Sequence, residues 1–375
     1  MLGRFVRRQG AAPTAAPRQP AAPPAQPTAA PAQPPAPPGQ PTAPPADAPP
    51  TAATAPGIAA RNLVPEPAAP VGPATEILSS RLTAEDLAQV EARLDGAHRG
   101  MWEAASDEQK HRLALAFALF YGVAGVPERT GLSPAEPPAE VHSMVRNDPT
   151  ETGGSYYYAD MVLECLERVG SPLAPDSHGL DFSCSSGRVV RPLAASLPDV
   201  HWHGCDPNPG AIAWARDHAP AIEFFVSDTA PPLPFADHSL DLAFAISVWS
   251  HYSEAAALRW FAEMHRAIRP GGHLLFTTHG LQSCVWFTHN RDPFIEAVLG
   301  PEWIVHTAYR LERAGHSFWN VFGESGDWGV IDPDWGLAFF TPEWLAQNIT
   351  PDWALVDYTI GRAATNQDLY ALERR

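Results

Sequence analysis

The stretch "GLDFSCSSGRVVRPLA", residues 179–194, decides how this chain is read. Gly179–Phe182 is an apolar run of strand length, Ser183–Gly187 is a loop of very small residues, and the residues after Gly187 open a helix. Small residues in such a turn let a backbone come close to a ligand. No G-K-[ST] follows, so the loop is not a phosphate-binding P-loop, and Ser183-x-Ser185-x-Gly187 lacks the G-x-G-x-x-G spacing of a nicotinamide site. An acid, Asp181, stands on the strand instead, which suits a cationic ligand better than a pyrophosphate.

Outward from this loop, strand-like and helix-like segments alternate. "YYYADMVLECLERVG" reads as a helix stopped by Gly170. "VHWHGCD" is a strand, followed by a helix opened by "NPGAIAWARDH", with Asn208 as cap and Pro209 in the first turn. "IEFFVSD", "LDLAFAISVW" and "HLLFTTHG" are further strands, and "SEAAALRWFAEMHRAIR" is a helix. Continuous apolar strands alternating with helices predict an α/β fold, a doubly wound, largely parallel Rossmann-like sheet covered on both faces. The tail, "WALVDYTIG" and "NQDLYALERR", predicts an antiparallel C-terminal hairpin at the sheet edge. Residues 281–350 read as an irregular lid insert; seven of the twelve tryptophans lie in 281–353.

Composition divides the rest. Residues 11–57 hold 17 of the 42 prolines, and such a segment cannot bury enough apolar surface to offset its ordering entropy. Residues 1–75 are therefore expected to be a disordered Pro/Ala-rich arm. Residues 76–135 form a helical cap region, with Thr83 and Ser106 capping "AEDLAQVEARL" and "DEQKHRLALAFALF", and 136–375 form the main domain. The formal charge is −17, and basic residues cluster only at Arg4, Arg7 and Arg8, so a nucleic-acid partner is not expected. No apolar run is long enough for a membrane span. Four cysteines without C-x-x-C spacing, and no apolar h-region after the first residues, predict a reduced, cytoplasmic protein.

Four segments in order carry a family resemblance: "LDFSCSSGR", "GCDPNPGAIAWA", "SDTAPPLPFADHSLD" and "HRAIRPGGHLLFTT". Over 179–279 the chain resembles the class I S-adenosylmethionine (SAM)-dependent methyltransferases. Its C-S-S-G-R, S-V-x-S-H and Q-D-[LV]-x-x-L segments resemble a bacterial subgroup associated with polysaccharide and glycosyltransferase genes. The resemblance implies SAM as cofactor, held by Asp181, Ser183, Ser185 and Gly187 around the methionine and ribose. It further implies Asp206 on the ribose hydroxyls, Asp228 and Thr229 at the adenine, and Ser247 beside the methyl donor. The first loop position is glycine in that family and Ser183 here, so a Cβ stands where a positive φ is expected.

Methyl transfer to oxygen needs alignment and the removal of one proton. His251, in "SVWSHYSE", is the candidate general base, since an imidazole titrates near ~6.5; His279, in "TTHG", is the second. Tyr156 is placed over the cofactor, and His316 and Trp319 are candidate acceptor contacts. His201 and His203 alternate on one strand face without completing a ligand set, and no metal site is expected. The acceptor is read as a glycan hydroxyl, with a small metabolite as the alternative and a glycosyltransferase-associated protein as a partner. The arm also admits a reading as a docking protein with a vestigial fold.

Overall fold

The computed structural model describes residues 71–138, 141, 149–323 and 331–375. The Pro/Ala-rich arm, expected to be solvated, lies outside the described residues apart from its last few. Helices come first: α1 (Pro73–Ser79), α2 (Ala84–Arg93), α3 (Gly96–Ala104), α4 (Asp107–Phe120) and α5 (Val126–Thr130). Thr83 and Ser106 cap as their spacing predicts, each completing a reciprocal capping box with the third helical residue, Asp86 and Gln109. The helical region thus begins at Pro73, inside the stretch read as arm.

The main domain follows as α6 (Tyr156–Arg168), β1 (His178–Phe182), α7 (Val190–Ser196), β2 (His201–Asp206), α8 (Pro209–His218), β3 (Glu223–Val226), β4 (Leu240–Ala245), α9 (Glu254–Ala267) and β5 (Ile268–Thr278). Then come α10 (Leu281–His289), α11 (Pro293–Leu299), α12 (Trp303–Ala314), β6 (His316–Trp319), β7 (Leu337–Phe340), α13 (Pro342–Asn348), β8 (Trp353–Ala363) and β9 (Gln367–Arg374). The main sheet has the order β3-β2-β1-β4-β5-β9-β8. β1 to β5 are parallel, and the β8–β9 hairpin adds antiparallel to β5. Strand order reverses beside β1, which places the crevice at the carboxyl ends of β1 and β4.

Both faces are covered, so successive strand residues feed different cores. Ala243, Ala245, Leu274 and Phe276 pack against α9, while Leu242, Phe244 and Leu275 share a cluster with α6, α7 and α8. That two-sided burial is why the strands read as unbroken apolar runs. The helical region docks through a buried carboxylate. Asp160 of α6, fully buried, accepts from the Thr75 N–H (2.8 Å), the Thr75 hydroxyl (2.6 Å) and Arg112 Nε (3.1 Å), which ties α1 and α4 to α6.

The insert departs from its expected irregularity. It holds α10 to α13 and a two-stranded antiparallel sheet, β6 with β7. Trp303 and Trp344 are buried in it, so these tryptophans anchor a packed subdomain and do not face a ligand.

Candidate active site

A cavity of about 230 Å³ opens at the carboxyl ends of β1, β2 and β3. The loop after β1 builds its floor. Ser183 (φ 58°) and Ser185 (φ 50°) both take the left-handed conformation, and Gly187 (φ 76°) closes the turn. A Cβ at Gly187 would meet the Phe224 ring at 2.9 Å. The positive φ expected of glycine at position 183 is adopted by serine all the same, a strained geometry for a residue with a Cβ.

Asp206, at the tip of β2, holds this loop. Its Oδ2 accepts from the Ser185 N–H and its Oδ1 from the Asn208 N–H, both at 2.8 Å. Burial raises the Asp206 pKa, and these two N–H groups pull against that rise. Asp181 stands behind the loop, 3% exposed. Its carboxylate accepts from the Val190 N–H (3.2 Å) at the start of α7, and burial pushes its pKa well up, against Arg188. Asp228 and Thr229 line the cavity after β3, exposed. The structure thus brings Ser183, Ser185, Asp206, Asp228 and Thr229 to one cavity, with Asp181 and Gly187 shaping the loop from behind.

The opposite wall is made by two segments far apart in sequence. A 3₁₀ turn at Trp249–His251 follows β4, and residues 332–336 pair with it. The Ser253 N–H donates to the Asp334 carbonyl (2.9 Å) and the Gly336 N–H to the His251 carbonyl (2.8 Å). Asp334 is fixed by the Ser253 hydroxyl (2.7 Å) and Arg259 (2.8 Å), which hold its pKa below the usual carboxylate range. His251 stacks on Trp335, ring centroids 4.6 Å apart at 19°. Its Nδ1 lies 2.7 Å from the Gly336 carbonyl; a carbonyl only accepts, so Nδ1 is the donor and the ring is held in one orientation.

His279 lies outside this cavity's lining. It is buried, with Nδ1 donating to the Ala338 carbonyl (3.2 Å) and Nε2 receiving from Gln367 (3.3 Å), and burial pulls its pKa to about 3. Ser247 (φ 61°) is likewise held behind the wall, its N–H on Thr277 Oγ1 (2.8 Å) and its hydroxyl under Gln367 Nε2 (2.7 Å).

Three expected contacts are placed elsewhere. Tyr156 does not cover the cavity: its hydroxyl donates to the Thr152 carbonyl (2.7 Å) and its ring is buried in the helical region's core. His316 stacks between Phe340 and Trp344, its pKa pulled down to about 4 by burial. Trp319 donates to Thr307 Oγ1 (2.8 Å) beneath the Arg310 guanidinium. Both belong to the packing of the insert. Conversely, Tyr252, Arg259, Asp332, Asp334 and Trp335 line the cavity and were not among the expected site residues. The Asp-Pro-Asp turn was visible in sequence, but nothing local announces that it returns to His251.

Residues 180–272 match the family described as "Methyltransferase domain". The chain is 32% identical over 117 residues, 31% of its length, to a malonyl-[acyl-carrier protein] O-methyltransferase of Hahella chejuensis, covering 40% of that protein. It is 33% identical over 103 residues, 26% of its length, to a phthiotriol/phenolphthiotriol dimycocerosates methyltransferase of Mycobacterium ulcerans, covering 36%. The chain thus spans about two fifths of the length of these curated relatives. A solved protein of Pyrococcus horikoshii aligns over 61% of this chain and 97% of its own, at 15% identity and a TM-score of 0.42. Over residues 180–272, the part that builds the floor of the cavity, the chain is thus similar to the methyltransferase domain family.

Proposed function

We propose that the chain is a SAM-dependent O-methyltransferase whose acceptor is a hydroxyl of a carbohydrate or glycoconjugate, bound in the cavity between the Asp206 loop and the wall that His251 and residues 332–336 build together. The observation that carries this reading is the placement of His251, oriented by the Gly336 carbonyl, in the same cavity as the Asp206 loop. The donor set fits a cationic cofactor. The cavity is lined by Asp206, Asp228, Asp332 and Asp334, while its one arginine among the described residues, Arg259, is already paired with Asp334. Asp206 and the Ser183–Gly187 loop would hold SAM, which supplies an activated methyl group when bound.

The chain's own part is to align the acceptor and accept its proton. His251 would take the proton of the hydroxyl, and the Gly336 carbonyl, 2.7 Å from Nδ1, would orient the ring and steady the imidazolium that results. His279 is a poor base, because an imidazole held at about 3 gives back any proton it receives. Trp335 offers an aromatic wall for the C–H face of a sugar, and the Asp332 and Asp334 carboxylates accept from hydroxyls. A small-metabolite acceptor is the second reading, favoured by the name of another relative, a trans-aconitate 2-methyltransferase of Methylobacterium nodulans.

Titration calorimetry on the full chain tests the cofactor. SAM should bind, and Asp206→Asn should weaken it by about tenfold or more; a chain that takes up no SAM would leave the docking-protein reading. His251→Ala should keep SAM affinity while lowering turnover by about 10²-fold. Mass spectrometry of glycans from cells with and without the gene identifies the acceptor: loss of one methyl from a sugar supports the carbohydrate reading, and unchanged glycans favour the small metabolite.

A further inference from the structure

A second cavity, of about 610 Å³, runs along α7 between α5 and the end of α8 and shares no lining residue with the first. Among the described residues, its walls gather Arg81, Arg129, Arg191 and His218 against one acid, Glu128, in a chain whose formal charge is −17. Two of these arginines are already engaged. Arg81 Nη1 donates to the Thr130 and Ala195 carbonyls, each at 3.0 Å, and Arg129 pairs with Asp86.

Arg191 is different. It is 5% exposed, its guanidinium lies 5.2 Å over the Trp214 ring, and its Nε and Nη1 are buried with no hydrogen-bond partner. Glu136 acts on it only through space, and burial draws its pKa down. Two buried guanidinium nitrogens without acceptors are a costly arrangement, because their N–H groups have given up water and received nothing in exchange. Arg191 lines the cavity, and a side-chain rotation of the kind that commonly accompanies binding would bring its donors to a ligand there.

We propose that this cavity is a binding site for a phosphate group, free or carried on a small metabolite, with Arg191 as its central ligand and Arg129 at the rim. A planar guanidinium presents several donors in fixed directions that match the oxygens of a phosphate. The volume also has room for the organic part of an ester. The site is independent of the methyl-transfer reading, since it uses none of that cavity's residues.

Titration calorimetry of the full chain tests this, with the first cavity saturated by S-adenosylhomocysteine and with inorganic phosphate, pyrophosphate and AMP as probes. Saturable binding of at least one probe is expected. Inorganic phosphate binding alone marks a free-anion site, whereas AMP binding more tightly marks an ester site. Arg191→Lys should weaken the bound probe by about tenfold, since lysine keeps the charge and loses the fork. Arg191→Met should abolish binding while leaving the probe-free chain at least as heat-stable as wild type, because an unpaired charge is gone. If Arg191→Met does not fold, Arg191→Lys and Arg129→Gln carry the test. No saturable binding of any probe overturns the proposal. So does undiminished binding in the Arg191 variants, or a lower melting temperature for Arg191→Met together with no probe-induced shift in wild type, which would make Arg191 the structural partner of Glu136.

Discussion

His279 shows how far burial moves a single group. Its pKa lies at about 3, while in the unfolded chain an imidazole titrates near ~6.5. Below that value the unfolded state takes up a proton that the native state refuses. The stabilisation is therefore complete above about 6.5 and is lost as pH falls toward about 3. His279→Gln removes this slope. Its stability deficit relative to wild type, from chemical denaturation, should shrink by about 1 kcal/mol between about pH 7.5 and about pH 5.5; a constant deficit would show that His279 titrates normally. The tip of β1 is a second residue-scale case. That Asp206 and the small residues of the loop share one cavity was legible in their order along the chain. The backbone solution was not: Ser183, Ser185 and Ser247 all hold positive φ, a conformation side-chain type alone does not announce. His316 and Trp319, expected at the acceptor, pack away from the cavity lining for a different reason. An aromatic side chain buries as readily against its own subdomain as against a ligand, and here Thr307 and Trp344 are the partners.

Among the elements, the β9 start does more than close the sheet. Gln367 accepts from the Thr277 hydroxyl (2.8 Å) and donates to the Ser247 hydroxyl (2.7 Å) and His279 Nε2. It thereby joins β5 and β9 to the turn that carries His251. Gln367→Ala leaves buried polar groups unpaired, and unfolding in denaturant should register a loss of about 1–3 kcal/mol. If the protein tolerates the change within experimental scatter, the amide is not organising the turn. The alternating strands and helices from α6 to β5, and the hairpin, were legible because each carries its own period and punctuation. The insert was not. β6 and β7 are four residues each and pair across intervening chain, while residues 332–336 find their partners near His251. Such pairings depend on a three-dimensional return of the chain, for which short segments give no periodic signal.

At the scale of the whole molecule, charge and cavity act in the same direction. The formal charge of −17 surrounds a cavity whose lining carries Asp206, Asp228, Asp332 and Asp334. A sulfonium cofactor and its demethylated thioether product have almost the same shape and differ by one positive charge. The field should therefore favour the cofactor over the product, and salt should erode that preference. The screening length falls from about 30 Å at about 0.01 M to about 8 Å at physiological ionic strength. The distant acids are screened first, while the carboxylates of the cavity lining act at close range throughout. Calorimetric titration at both ionic strengths should show SAM affinity falling several-fold while S-adenosylhomocysteine affinity stays nearly constant. Equal loss for both ligands would mean that the acids of the lining serve the loop and the wall, as the bonds of Asp206 to Ser185 and of Asp334 to Ser253 already do, and that they contribute nothing to recognition of the cation.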